Sequence, residues 1–381
     1  MSERRMNERR HIPVAAPVLR GREREYVLDC LDSSWISSCG AYVERFESAF
    51  AGFCETRHAV SCCNGTVALH LALLALGVGV GDEVIVPTLT FVATANAVTY
   101  CGARPVFVDS EPLTWNLDPA LVEARITPRT KGIVAVHLYG HPSEMDALRD
   151  IARRHKLFVV EDAAEAHGAQ YKGRSVGSLG DMACFSFYGN KILTTGEGGM
   201  VVTDDDALWR RAAQLRGQGM DFERRYWFPV VGYNYRMMNL PAALGLAQLE
   251  QVEWHLGRRR EVAGWYRERL GDVPGIEWQS EQDWARHAYW LFTIKLSNSV
   301  ALERDALMSM LEERGIETRP VFYPMHVLPP YRESAPGDAF PVADEIARRG
   351  LCLPTWGGLA REDVDYVCDA LAECTWQPKR A

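Results

Sequence analysis

Between residues 56 and 203 the chain repeats one pattern, in which short apolar runs rich in β-branched residues alternate with helical spacing. Strands are predicted at 57–63, 83–87, 105–109, 131–138, 156–161, 183–188 and 199–203, with helices at 67–76, 92–100 and 144–155. Runs such as KLFVVE (156–161) and ACFSFY (183–188) are apolar at successive residues, not at every second one. Both faces of such a strand must be covered. Strands of this kind alternating with helices predict an α/β class, a mostly parallel sheet with helices on both faces.

Beyond residue 239 the pattern changes. Helical spacing runs from 239 through Arg258-Arg259-Arg260 to Leu270, followed by strands at 289–295 and 318–323 and helices at 302–314 and 361–373. This predicts a large domain over 1–255 and a smaller C-terminal α+β domain over 256–381, joined by one long helix. Residues 1–12 read as a flexible polar tail. A chain of 381 residues is long enough for that division.

Bulk properties remove several function classes. A net charge of −8 leaves no excess of cations for a nucleic-acid backbone. No segment approaches the ~20 apolar residues of a membrane span, and the charged start lacks the apolar stretch of a signal peptide. The ten cysteines form no C-x-x-C pair, so a zinc or redox motif is not expected; reduced thiols in a cytoplasmic protein are.

Ligands of open α/β sheets sit outside the carboxyl ends of the strands, and three strand ends here carry complementary chemistry. Asn64-Gly65-Thr66 opens an apolar helix. By itself it reads first as a helix cap, but the free N–H groups of a helix start also suit an anion. Glu161-Asp162 ends KLFVVED, where a carboxylate suits a ribose, a metal or a protonated ring nitrogen, or merely a turn. Lys191 follows ACFSFYGN and precedes T-T-G-E-G-G; it is either a surface lysine or a partly desolvated nucleophile. Together the three provide an anion cradle, a carboxylate and an amine, the parts that hold pyridoxal 5′-phosphate. Lys191 would carry it as a Schiff base, Asp162 would keep its ring nitrogen protonated, and the cradle would take its phosphate.

The stretches EDAAEAHGA (161–169), FSFYGNKILTTGEGGMVVTDD (185–205) and GYNYRMMNLPAALGLAQLE (232–250) resemble the DegT/DnrJ/EryC1/StrS sugar aminotransferases, as do 35–50, 64–77 and 82–98. The resemblance spans nearly the whole chain and implies the aspartate-aminotransferase-like fold type I. Segments 136–148, 187–201, 225–237 and 316–326 are similar to the branch that moves an amino group from L-glutamate to C4 of GDP-4-keto-6-deoxymannose, giving GDP-perosamine.

What the resemblance implies can be placed residue by residue. Lys191 is the catalytic residue. Gly65, Thr66 and Ser186 bind the cofactor's phosphate, Phe91 stacks on its ring, Asp162 meets the ring nitrogen, and Glu165 lies by the 3′-oxygen. Asn239 reaches the phosphate from the other subunit of a homodimer with shared sites. Trp35, Ser37, Tyr226, Arg236, Arg319 and His326 line the sugar-nucleotide pocket, and no metal is implied. Glu165 stands where many relatives carry Gln, so it is expected to be protonated or turned toward another donor. Ala163, Ile192, Met238 and Cys62-Cys63 depart from the usual perosamine pattern, which leaves other 3-keto or 4-keto sugar nucleotides, or an aminocyclitol, as alternative acceptors. A 3-dehydratase of this fold would carry histidine at position 191, and a non-catalytic sensor would have no need of a proton-shuttling lysine.

Overall fold

The computed structural model describes residues 10–334 and 337–375. Its centre is a seven-stranded sheet built from β1 (His58–Cys62), β2 (Glu83–Pro87), β3 (Arg104–Val108), β4 (Thr130–Val136), β5 (Phe158–Asp162), β6 (Met182–Ser186) and β7 (Gly199–Thr203). Across the sheet the order is β1-β7-β6-β5-β4-β2-β3. Only β7 runs against its neighbours; β6-β5-β4-β2-β3 are parallel. Val84, Ile85 and Val86 are fully buried, as are Ile133, Val134 and Ala135, so consecutive side chains on both faces are covered. Crossover helices provide that cover. The helix Met145–His155 buries Met145, Leu148, Ile151 and Ala152 on one stripe and leaves its arginines outside.

The register aligns the functional edge. Val136 of β4 pairs with Asp162 of β5, Asp162 with Cys184, and Ser186 of β6 with Gly199, which also faces Cys62 of β1. The carboxyl ends of β1, β4, β5 and β6 therefore converge at one rim. Gly199 at this rim has no room for a side chain: a Cβ there would lie 2.3 Å from the Asn64 carbonyl oxygen.

A second, antiparallel sheet has the order β8 (Ile276–Trp278), β9 (Phe292–Leu296), β11 (Gly350–Leu353), β10 (Arg319–Pro320), where β10 precedes β11 in the chain. It packs with the helices Val252–Leu270 and Arg361–Thr375 around a separate apolar cluster that includes Tyr266, Phe292, Leu307 and Leu371.

Three expectations are corrected here. The helix expected to run from 239 to 270 is two helices, Asn239–Leu249 and Val252–Leu270. Gln251 leaves helical geometry (φ −111°, ψ 12°), and the Glu250 carboxylate accepts the Tyr26 hydroxyl at 2.6 Å. The strand expected at 318–323 is only Arg319–Pro320, because Pro320 and Pro324 bring no N–H to a ladder. Of the tail expected over 1–12, residues 1–9 lie outside the described residues. Ile12, however, is 3% exposed and bridges to Ile316, its N–H donating to the Gly315 carbonyl at 2.8 Å. The helices Glu23–Asp32, Ala41–Phe53 and Pro341–Arg349 were not among the expected elements.

Candidate active site

At the rim lies a cavity of about 520 Å³. Among the residues lining it are Gly65, Thr66, Phe91, Asp162, Glu165, Ser186, Lys191 and Arg319, brought together from five segments of the chain. Its floor is the start of the helix Gly65–Ala75. Asn64 caps that helix, its Oδ1 accepting the Val67 N–H at 2.9 Å while its carbonyl accepts from Ala68. The N–H groups of Gly65 and Thr66 have no partner among the described residues and point into a helix N-terminus that favours an anion. Gly65 cannot be larger, since an added Cβ would sit 2.6 Å from Ser186 Cβ.

Asp162 ends β5 in a buried position. Its Oδ2 accepts the Thr94 hydroxyl at 2.7 Å, and Thr94 in turn contacts the Thr90 hydroxyl at 2.9 Å. Opposite, Lys191 sits in the loop after β6. Its Nζ is 3.8 Å from the centroid of the Trp290 ring and 3.6 Å from Glu165 Oε1. The loop is held from behind: Trp290 Nε1 donates to the Asn190 carbonyl at 2.8 Å, and the buried Arg259 guanidinium binds the Trp290 and Thr355 carbonyls at 2.6 and 2.9 Å. The arrangement puts an amine, a carboxylate and an anion cradle around one enclosed space.

A model of the DegT/DnrJ/EryC1/StrS aminotransferase family matches residues 17–372. The chain belongs to this family. The aminotransferase is 54% identical over 367 residues to the GDP-perosamine synthase of Caulobacter vibrioides, covering 96% of this chain and 99% of that one. It is 48% identical over 364 residues to the GDP-perosamine synthase of Escherichia coli O157:H7, covering 96% and 98%. Among solved structures, DesV of S. venezuelae in complex with a ketimine intermediate superposes with a TM-score of 0.89 at 41% identity, covering 94% and 95%. The cofactor of these aminotransferases is pyridoxal 5′-phosphate.

The residues of this aminotransferase fit that group. Burial raises the Asp162 carboxyl, and the Thr94 hydroxyl, the Ala164 N–H and Lys191 only partly offset the rise. A cation set against it, such as a protonated ring nitrogen, relieves that penalty. The cradle's free N–H groups suit a phosphate, and the buried Asn190 Oδ1 has no hydrogen-bond partner among the described residues. Burial lowers the Lys191 amine, against the pull of Glu165 and Asp162, which favours the nucleophilic free base. Glu165 is turned toward a second donor: its Oε2 accepts the Tyr139 N–H at 2.8 Å, and burial raises its carboxyl to about 7 against the pull of Lys191.

Several expected residues are not brought to this cavity. Asn239 is 2% exposed, and its amide is spent inside its own chain. Oδ1 accepts the Tyr42 N–H at 3.0 Å, and Nδ2 donates to the Trp35 carbonyl at 2.6 Å. Within this chain the amide is therefore engaged on both its oxygen and its nitrogen. His326 is a satisfied packing residue. Nδ1 meets the Thr88 hydroxyl at 2.7 Å, Nε2 meets Asp344 at 3.0 Å, and the ring stacks on Phe340. Trp35, Ser37 and Tyr226 are exposed and do not line the cavity, and Arg236 bridges by its backbone to Cys62. Conversely, Thr94, Tyr139, Trp290, Arg259 and Phe322 were not among the residues expected at the site. Thr94 lies in the same T-F-V-A-T run as Phe91, and its four-residue spacing from Thr90 was the available signal.

Proposed function

We propose that this aminotransferase moves an amino group from L-glutamate to C4 of GDP-4-keto-6-deoxymannose, forming GDP-perosamine. The supporting observation is the 54% identity to a GDP-perosamine synthase over 96% of this chain, with the amine, carboxylate and cradle all in place. When bound, pyridoxal phosphate supplies the electron sink that stabilises negative charge at the carbon losing or gaining the amine. Lys191 would hold it covalently and, once displaced by the substrate's amine, would take a proton from the donor's α-carbon and deliver one to the sugar carbon in the second half of a ping-pong cycle. Asp162 would hold a positive ring nitrogen, Gly65, Thr66 and Ser186 would bind the phosphate, and Phe91 would cover one ring face. Glu165 would lie near the 3′-oxygen. Arg319, whose nearest carboxylate is Glu317 at 3.8 Å, is a cation open to the substrate's diphosphate.

The proposed unit is a cytoplasmic homodimer, each chain divided into a large domain (1–255) and a small one (256–381). Free thiols suit that compartment, and among the described residues no helix is long and apolar enough to cross a membrane. Trp35, Tyr226, Trp227 and Phe228 are all more than half exposed, apolar surface that a second copy would cover. In that arrangement Trp35, Ser37, Tyr226 and Arg236 serve the partner's sugar-nucleotide pocket.

Purified protein incubated with glutamate and a panel of GDP-, dTDP- and UDP-linked 3-keto and 4-keto sugars tests the assignment by mass spectrometry and NMR of the product. Amination of the GDP-4-keto sugar is expected. Amination of a dTDP or UDP sugar alone would overturn the acceptor and keep the transamination. No glutamate-dependent bleaching of the cofactor absorbance would overturn both.

A further inference from the structure

Lys191 must lose a proton to act and regain one to act again, and it is only 11% exposed, so water is a poor partner for that exchange. Glu165, 6% exposed, is the acidic side chain nearest its amine, with Oε1 at 3.6 Å from Nζ. The other groups around the amine serve different ends. Asp162 is committed to Thr94 and the Ala164 N–H. Arg319, on β10, disfavours the protonated amine by like charge. Arg259 binds the backbone of the lysine loop, not its amine. His167 is fully buried and kept neutral, and Glu197 is exposed at the mouth.

Glu165 is also held so that one oxygen stays available. Tyr139 adopts a left-handed conformation (φ 56°), which a non-glycine residue takes only under constraint, and this aims its N–H at Oε2. Its phenol and the Cys352 thiol, also near the carboxyl, are both pushed up by burial and stay neutral. Oε1 is left facing the amine. Glutamine would fit the space, its oxygen on the Tyr139 N–H and its NH₂ donating to the neutral amine, but an amide cannot take up the lysine proton.

We propose that Glu165 is the proton partner of Lys191: the ammonium passes its proton across to Oε1, leaving a neutral amine beside a neutral carboxylic acid, and takes it back when the amine must again be an acid. The exchange conserves charge and needs no outside base. It rests on Lys191 being the catalytic amine of the reading above, and it makes Glu165 a second catalytic residue.

The test uses apoprotein and no substrate. Trace acylation of Lys191, followed by peptide mass spectrometry across the neutral-to-alkaline range, gives the amine's titration. Glu165→Gln is expected to lower its apparent pKa by about 1–3 units, the effect of removing an opposite charge at this distance. An unchanged titration would overturn the proposal. A second measurement covers a variant that folds poorly. Lys191→Ala should leave Glu165 protonated near neutral pH, giving a carboxylic-acid infrared band absent from Lys191→Ala/Glu165→Gln; no such band also overturns it. Absent glutamate-dependent bleaching would instead mark failure of the aminotransfer reading, leaving both titrations interpretable.

Discussion

Gly65→Ala should separate the cradle from the fold that carries it. The new Cβ would meet Ser186 at 2.6 Å from Cβ, 3.0 Å from Oγ and 3.2 Å from Cα. Carbon atoms rest at about 3.5–4.0 Å, so the start of the helix must retreat by about 1 Å. Ser186 cannot yield instead, because it ends β6 and pairs with Gly199 in the middle of the sheet. Overpacking of this kind costs about 1–3 kcal/mol of stability. The same retreat draws the Gly65 and Thr66 N–H groups away from the phosphate, and weakening one charge-assisted hydrogen bond costs about 1.5–3 kcal/mol. The expected dissociation constant for pyridoxal phosphate rises about ten- to a hundredfold. Titrating apoprotein with the cofactor and following tryptophan fluorescence reads it directly, since Trp290 lines the cavity. Gly257→Ala is the comparator: nothing lies within 4 Å of its added Cβ in the helix Val252–Leu270. It should stabilise by about 0.5–1 kcal/mol and leave cofactor binding alone. A folded Gly65→Ala protein that binds cofactor within threefold of the parent would refute the reasoning.

Two further outcomes follow from buried polar groups. Asn239→Ala leaves the Tyr42 N–H and Trp35 carbonyl unmatched, so chemical denaturation should show a loss of about 2–4 kcal/mol with cofactor affinity unchanged; weakened cofactor binding at full stability would restore a direct phosphate role. Glu83 gives a pH signature. Burial alone would raise its carboxyl, but Thr127, Arg104 and Arg129 outweigh that and hold it at about 2, below its ordinary 4.5. A depressed carboxylate stabilises above its unfolded value and loses that contribution as pH falls toward the folded one. Parent protein should therefore exceed Glu83→Gln by roughly 2 kcal/mol near neutrality, allowing for half-exposed arginines, and the gap should close between pH 4.5 and 2. A gap that persists unchanged through that window contradicts the assignment.

The parts of the site that were legible share one property. Asn64-Gly65-Thr66, Asp162 and Lys191 each sit at or just beyond the end of a strand whose apolar run is visible in a few neighbouring residues. The second layer was not legible, because its residues act from far along the chain. Trp290 reaches Asn190 across a separation of 100 residues, Arg259 spans 96 to Thr355, and Phe322 reaches Tyr139 across 183. Nothing local marks those residues as partners.

Asn239 and His326 illustrate the same dependence on folding from the other side. Both were placed at the site by their surrounding motif, yet each has its polar atoms satisfied by neighbours that only folding supplies, 197 residues away for Tyr42 and 238 for Thr88. The sequence alone determined the parallel sheet, the strand ends and the chemistry they carry, because apolar periodicity and helix starts are properties of contiguous residues. Tertiary structure alone decided which polar groups remain free to meet a ligand, because a hydrogen bond made within the core removes a group from the site, and that depends on what packs against it.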